Sequence, residues 1–160
     1  MPHTCVQMEG HIVRRSVLAI CLSMISSAAS SQASQEIVRT ALNNVGHEMA
    51  ECAAYSIIVA AALSKAPGAE AGVQGYRNRA DVLLGKAVVV AEEIKQKPET
   101  VYARFAISFD AMNKKIGHDF VNFSILSSEY GEHCKVVAED TEGRLKYWVN
   151  EVLSSRGRRK

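Results

Sequence analysis

The sequence predicts an all-α fold: an up-and-down helix bundle of three long helices plus a short C-terminal helix, after an N-terminal signal peptide. Apolar residues recur at alternating steps of three and four, which is the spacing of one helix face. Only three prolines and ten glycines occur in 160 residues. Residues branched at Cβ do not alternate with polar ones, which disfavours strands. The apolar content of 48% is ordinary for a folded domain.

The first helix of the bundle is predicted over residues 35–65, with Ser34 as its N-cap. Proline and glycine in Ala66-Pro67-Gly68 end it, because both residues break helices. Only Ser56 interrupts the apolar face. That face comprises Val38, Leu42, Val45, Met49, Cys52, Ser56, Val59 and Leu63. A helix with one long apolar face requires neighbouring helices to cover it.

The second predicted helix, residues 71–96, shows the same spacing. Its apolar face comprises Val73, Tyr76, Ala80, Leu83, Ala87, Val90 and Ile94. The seven-residue repeat outweighs the lower helix propensity of the three consecutive valines 88–90.

The third helix is predicted to begin after Pro98, a residue suited to the first helical position. Its apolar face comprises Tyr102, Phe105, Phe109, Met112, Ile116, Phe123, Leu126 and Tyr130. Two forms are open: one straight helix from Glu99 to about Val137, or a break near residues 117–124. A last helix, 141–154, follows Asp140 or Thr141 as cap. Leu145, Trp148, Val149 and Val152 lie on one of its sides.

Residues 1–33 have the three parts of a secretory signal peptide. Arg14 and Arg15 precede a short apolar stretch, 16–25, and small residues follow it. Cleavage is expected after Ala29 or after Ala33. The alternatives are an uncleaved membrane anchor and a first helix of the folded domain, although the stretch is shorter than the about 20 residues of a span.

The charge is unevenly distributed along the chain. Residues 34–155, the predicted bundle domain, contain 13 Lys and Arg against 16 Asp and Glu, a net charge of −3. Residues 156–160 carry a charge of +4 and are expected to form a disordered basic tail. A weak tether to anionic lipid or to an acidic partner is the alternative for this tail. We expect no nucleic-acid binding, because it requires basic residues clustered on a face of the fold.

Two cysteines remain once the signal peptide has been removed, Cys52 and Cys134. In an oxidising compartment they are expected to form a disulfide, the alternative being two buried thiols. A straight third helix would place Cys134 about 30 Å from the level of Cys52. Bonded cysteines need Cα atoms within about 7 Å. The disulfide therefore requires the chain to reverse near residues 120–124.

Catalytic motifs are absent from the sequence: it contains no G-x-S-x-G, P-loop, G-x-G-x-x-G or H-E-x-x-H. We therefore expect no enzymatic activity and no cofactor. The candidate metal ligands form two local groups, His47 with Glu51 and Glu129 with His133. A solvated polar face is the alternative for both groups. Met49 is a candidate haem ligand, with core packing as the alternative.

One candidate binding spot is Tyr147 close to Arg144 on the last helix, the alternative being ordinary packing with a surface aromatic. The predicted function is that of an exported, periplasmic or secreted, non-enzymatic binding or envelope-accessory protein. Its partner would be a protein or a small molecule, with membrane contact only if the N-terminal segment is uncleaved. The alternatives are a metal- or haem-binding bundle that uses His47, Met49 or His133, and a membrane-anchored interaction domain.

Overall fold

The computed structural model describes residues 11–158, with side chains from Gln32 onward. Within this range the chain forms five α-helices, one 3₁₀ turn and no strand. The helices are α1 His11–Leu63, α2 Glu70–Glu93, α3 Pro98–Lys115, α4 Ser124–Glu139 and α5 Thr141–Gly157, and the 3₁₀ turn is Phe120–Phe123. The all-α class is confirmed. The predicted count of four helices is wrong, because the third predicted helix is two helices.

The described part of the chain divides into two compact units, with the boundary between residues 36 and 37. The hydrophobic core lies in the second unit. The first ten residues of the predicted signal peptide lie outside the described residues, and its cleavage stays a prediction. None of the helices within residues 11–158 is long and apolar enough to cross a membrane.

Helix α1 begins well before its predicted start. Ser34 lies inside the helix, so its assignment as N-cap is wrong. No proline or glycine occurs between residues 11 and 45, and nothing in the local sequence therefore interrupts the helix. Helix α1 ends at Leu63, shortly before Pro67 and Gly68, the residues that were predicted to end it.

The predicted apolar face of α1 is confirmed over its central turns. Val45, Met49, Cys52 and Val59 are buried, whereas Val38 at the outer end is 46% exposed. Ser56 is fully buried on the same face, and its hydroxyl donates a 2.8 Å hydrogen bond to the carbonyl of Cys52. A serine that bonds to the backbone four residues earlier satisfies its own polar group. The serine is therefore compatible with the core.

Helices α2 and α3 pack against this face. The central positions of α2, Ala80, Leu83 and Ala87, are buried as predicted. On α3 the buried face starts one residue earlier, because Val101 is buried while Tyr102 is 54% exposed. Val101 lies eleven residues, or about three turns, before the buried Met112, and so the two share a face. The tyrosine keeps its hydroxyl near solvent.

The chain reverses between α3 and α4. Gly117 and His118 both adopt positive φ, at 65° and 58°, and these left-handed conformations end the helix. The Asp119 carboxylate then accepts a 3.0 Å hydrogen bond from the Val121 amide and starts the 3₁₀ turn. The straight form of the third helix is therefore wrong, and the form with a break is confirmed.

Gly117→Ala tests this reversal. We expect a loss of about 1 kcal/mol in the free energy of unfolding, because an L-residue is strained in the left-handed region. An added Cβ would meet nothing within 4 Å, so the cost comes from the backbone. Gly85→Ala is the matched control: it also adds a Cβ into open space, but inside α2, where alanine is expected to stabilise by about 0.5–1 kcal/mol. Urea denaturation compares them, and equal stabilities would contradict the role of Gly117.

Helix α5 starts at the predicted cap. The Asp140 carboxylate accepts a 2.8 Å hydrogen bond from the Gly143 amide. This bond satisfies one of the backbone N–H groups of the first turn, which have no acceptor within the helix. No residue of α5 is fully buried, while Leu145 and Trp148 pack partly buried against the core. The helix runs to Gly157 and so includes the start of the segment predicted as a tail. Residues 159–160 lie outside the described residues.

Candidate functional site

The reversal at residues 117–123 brings α4 against α1 at the level of the two cysteines. The sulfur atoms of Cys52 and Cys134 lie 2.09 Å apart, which is disulfide-bonding distance, and the Cα atoms lie 5.2 Å apart. Both residues are fully buried. The predicted pairing is therefore supported by the fold, and its requirement for a reversal in the chain is met.

Glu48 lies one helical turn before Cys52 and so faces the same side of α1. Although charged, it is only 6% exposed. Its two carboxylate oxygens accept hydrogen bonds from the Arg144 guanidinium, one of them from Nε at 3.0 Å and the other from Nη2. A guanidinium that binds both oxygens gives the strong, directional pairing that a buried carboxylate needs.

His133 and Tyr147 complete this group, and we call Glu48, His133, Arg144 and Tyr147 the Glu48 cluster. The His133 ring nitrogen Nε2 lies 3.8 Å from a Glu48 carboxylate oxygen. The Arg144 guanidinium carbon lies 4.3 Å from the centre of the Tyr147 ring, a cation–π distance. The hydrogen bond to Glu48 raises the pKa of Arg144. The cluster thus joins α1, α4 and α5 beside the disulfide.

The chemistry of the Glu48 cluster is that of a structural ion pair. Both Glu48 oxygens are engaged by a permanently charged guanidinium. The guanidinium thus supplies the counter-charge and both hydrogen bonds of this carboxylate. The geometry therefore favours a structural role for Glu48, in which its pairing with Arg144 connects α1 to α5, over a role as a general base.

The predicted metal ligands do not converge. Glu129 is paired with Lys115 on the surface, and His133 lies beside Glu48. His47 is exposed and Glu51 is half-buried on α1. Within the part of the chain that the structure describes, no three His, Cys, Asp or Glu side chains are grouped so as to hold a metal ion.

The candidate haem ligand Met49 is fully buried in the core. His47 is two residues away on the same helix, so the two side chains point about 200° apart. They do not form a pair of axial ligands on one haem. Met49 packs against the buried residues of the core.

The candidate binding residues Arg144 and Tyr147 do come together. Tyr147 is 46% exposed, and Arg144 lies beneath it while bonded to Glu48. Sequence reasoning missed Glu48, the residue that holds Arg144 in place. The available signal was its four-residue spacing from Cys52, since a residue one turn from a bonded cysteine faces the same neighbouring helix.

A second buried group surrounds Tyr55 on α1. Its side chain is 4% exposed, and its ring lies 6.2 Å from that of Tyr130 on α4. Burial raises the pKa of the Tyr55 phenol above its ordinary value of 10.0, and a hydrogen bond with Ser127 partly opposes this. The phenol therefore stays protonated in the folded protein at pH values where it ionises in the unfolded chain.

This difference in pKa predicts a loss of stability in alkali. The contribution of Tyr55 is fully present below pH about 10 and is lost as the pH rises through its raised folded pKa, because the unfolded chain releases the proton first. Tyr55→Phe is expected to reduce the fall in the free energy of unfolding between about pH 9 and about pH 11. Urea denaturation at each pH measures it. Tyr102→Phe, at an exposed position, is the control, and an equal effect of the two changes would contradict the assignment.

Comparison with known proteins identifies no relative: no protein-family model, no curated protein and no solved structure matches this chain.

Proposed function

We propose that this chain is an exported, non-enzymatic binding or envelope-accessory protein of the periplasm or the exterior. The observation that carries the proposal is the buried Cys52–Cys134 pair at bonding distance. Disulfides persist in oxidising compartments and are rare in reducing ones. The signal-like sequence of residues 1–33 offers a route to such a compartment.

The Glu48 cluster supports the non-enzymatic part of the proposal. A catalytic carboxylate needs a free oxygen within reach of a substrate proton. Glu48 is buried, and both its oxygens are bonded to Arg144. The most deeply buried carboxylate of the described chain is thus used to hold helices together.

Export and the disulfide are tested in one experiment. The chain with its own N-terminus is expressed in a secretion-competent host, the compartments are separated, and intact mass is measured with and without reductant. We expect a product that begins at Ser30 or Ser34 and gains two hydrogens on reduction. Cys134→Ala is the control, which should be processed in the same way but gain none.

Three outcomes would contradict the proposal. A mass that still includes residues 1–29 would show that the signal is not cleaved, and membrane association of that product would favour the anchored interaction domain. Two free thiols in the native protein would remove the structural reason for export. A stoichiometric metal or chromophore in protein from its native host would favour the metal- or haem-binding alternative.

A further inference from the structure

A groove lies between helix α5 and the part of α1 that belongs to the second unit, from residue 37 onward. Its volume of about 710 Å³ falls within the range of small-molecule sites, about 300–1,000 Å³. We call it the α1–α5 groove. It is lined by Thr40 and Asn44 of α1 and by Trp148, Glu151, Val152, Ser155 and Arg156 of α5. Residues four apart on a helix lie above one another. Each helix therefore lines the groove along successive turns.

Two polar side chains of the groove are not engaged with the protein. The Asn44 amide and the Glu151 carboxylate make no hydrogen bond or ion pair with the described chain. An amide offers two donors and an acceptor, and a carboxylate accepts at two oxygens. Ser155 donates its hydroxyl to the Val152 carbonyl at 2.9 Å, so its oxygen can still accept. The groove thus presents both donors and acceptors to a ligand.

Trp148, the only tryptophan of the chain, supplies an aromatic surface to the groove. Its indole nitrogen Nε1 is shielded from solvent and has no partner among the described residues. The N–H group is therefore turned away from solvent, and carbon atoms of the side chain are what Trp148 can offer to the groove that it lines. The face of an aromatic ring is electron-rich and attracts weakly positive C–H groups. Val152, one turn further along α5, extends this apolar surface.

We propose that the α1–α5 groove binds a pyranose sugar. One face of such a ring carries C–H groups that fit an indole, and its edge carries hydroxyls that fit an amide and a carboxylate. A purely apolar ligand would leave Asn44 and Glu151 desolvated without partners, which is unfavourable. The groove carries one negative and one positive side chain, Glu151 and Arg156, and Arg156 is already engaged in another interaction, so a neutral ligand fits better than an anion. The inference rests on the proposed binding function and names the class of its ligand.

The fluorescence of Trp148 provides a direct measurement. The full chain, or the processed chain that export yields, is titrated with glucose, galactose, N-acetylglucosamine and chitobiose up to about 50 mM, with calorimetry in parallel. We expect at least one sugar to give a saturable change with a Kd of about 0.1–10 mM, the range of a few hydrogen bonds and one stacked ring. No saturable response to any of these sugars by either method would overturn the inference.

Variants place the binding in the groove. Asn44→Ala and Glu151→Ala are each expected to weaken binding at least about ten-fold, since each removes a bonding partner of the sugar. Asn150→Ala is the matched control, because Asn150 is exposed on α5 beside Glu151 but does not line the groove. It should bind as the wild type does. Trp148→Phe keeps an aromatic ring and should bind within a few-fold by calorimetry, with circular dichroism confirming that it is folded.

The inference and the proposed function fail separately. Wild-type affinity in both groove variants, or an equal loss in Asn150→Ala, would overturn the groove as the site. A protein that is exported and disulfide-bonded but binds no sugar overturns only the inference. A protein that binds sugar while it retains residues 1–29 overturns only export by a cleaved signal.

Discussion

Removing the Cys52–Cys134 bond is expected to lower the free energy of unfolding by roughly 4 kcal/mol. The two cysteines are 82 residues apart in sequence. A link across so long a loop removes much of the conformational entropy of the unfolded chain. Because single domains are stable by only about 5–15 kcal/mol, this is a large share of the total. The double variant Cys52→Ala, Cys134→Ala, measured by urea denaturation, gives the value.

Reductant provides the control for that measurement. Wild-type protein in reductant should approach the stability of the double variant, and reductant should leave the double variant unchanged. The single variant Cys134→Ala should be as unstable as the double one, since either change opens the loop. If the wild type keeps its stability in reductant while its thiols are shown to be free, the bond is not what holds α1 to α4.

Arg144→Met is expected to lower the free energy of unfolding by about 3 kcal/mol. It removes the partner of Glu48, which is 6% exposed, and leaves a carboxylate buried without a counter-charge. Breaking one side of a buried pair costs about 3–5 kcal/mol. The lower end applies because the Arg144 side chain is still 17% exposed, so that water reaches the pair. The comparison is made by urea denaturation at neutral pH.

The double variant Glu48→Gln, Arg144→Met tests whether the loss comes from the unpaired charge. We expect the double variant to recover part of the stability, since the free-energy effects of changing the two residues of one ion pair do not add. Lys146→Met is the matched control. Lys146 pairs with Glu142 on the surface of the same helix, and its change should leave stability within error of the wild type. A loss in Lys146→Met as large as that in Arg144→Met would contradict the special role of the buried pair.

The helical class and the buried faces could be predicted because they depend on spacing along the chain. Met49, Cys52 and Leu83 lie on faces that repeat every three to four residues, and all three are buried. The start of α1 could not be located in this way. A serine suited to capping also fits the middle of a helix when no breaker precedes it, and Ser34 is such a residue.

The Glu48 cluster was visible from sequence only in part. Arg144 and Tyr147 are three residues apart, and their proximity follows from helix geometry alone. The contact between Arg144 and Glu48 joins residues 96 positions apart. No local pattern contains it, because it depends on how α5 is placed against α1. The same holds for the α1–α5 groove.

The sequence by itself determined the all-α class, the central apolar faces of α1 and α2 and the choice of Cys52 and Cys134 as partners. It left open whether the third apolar segment is straight or broken, because its spacing continues through Gly117 in either form. Only the tertiary structure decided this. Two residues with positive φ and the Asp119 carboxylate turn the chain back. That reversal returns α4 to the level of Cys52, since a straight helix would carry Cys134 about 30 Å away.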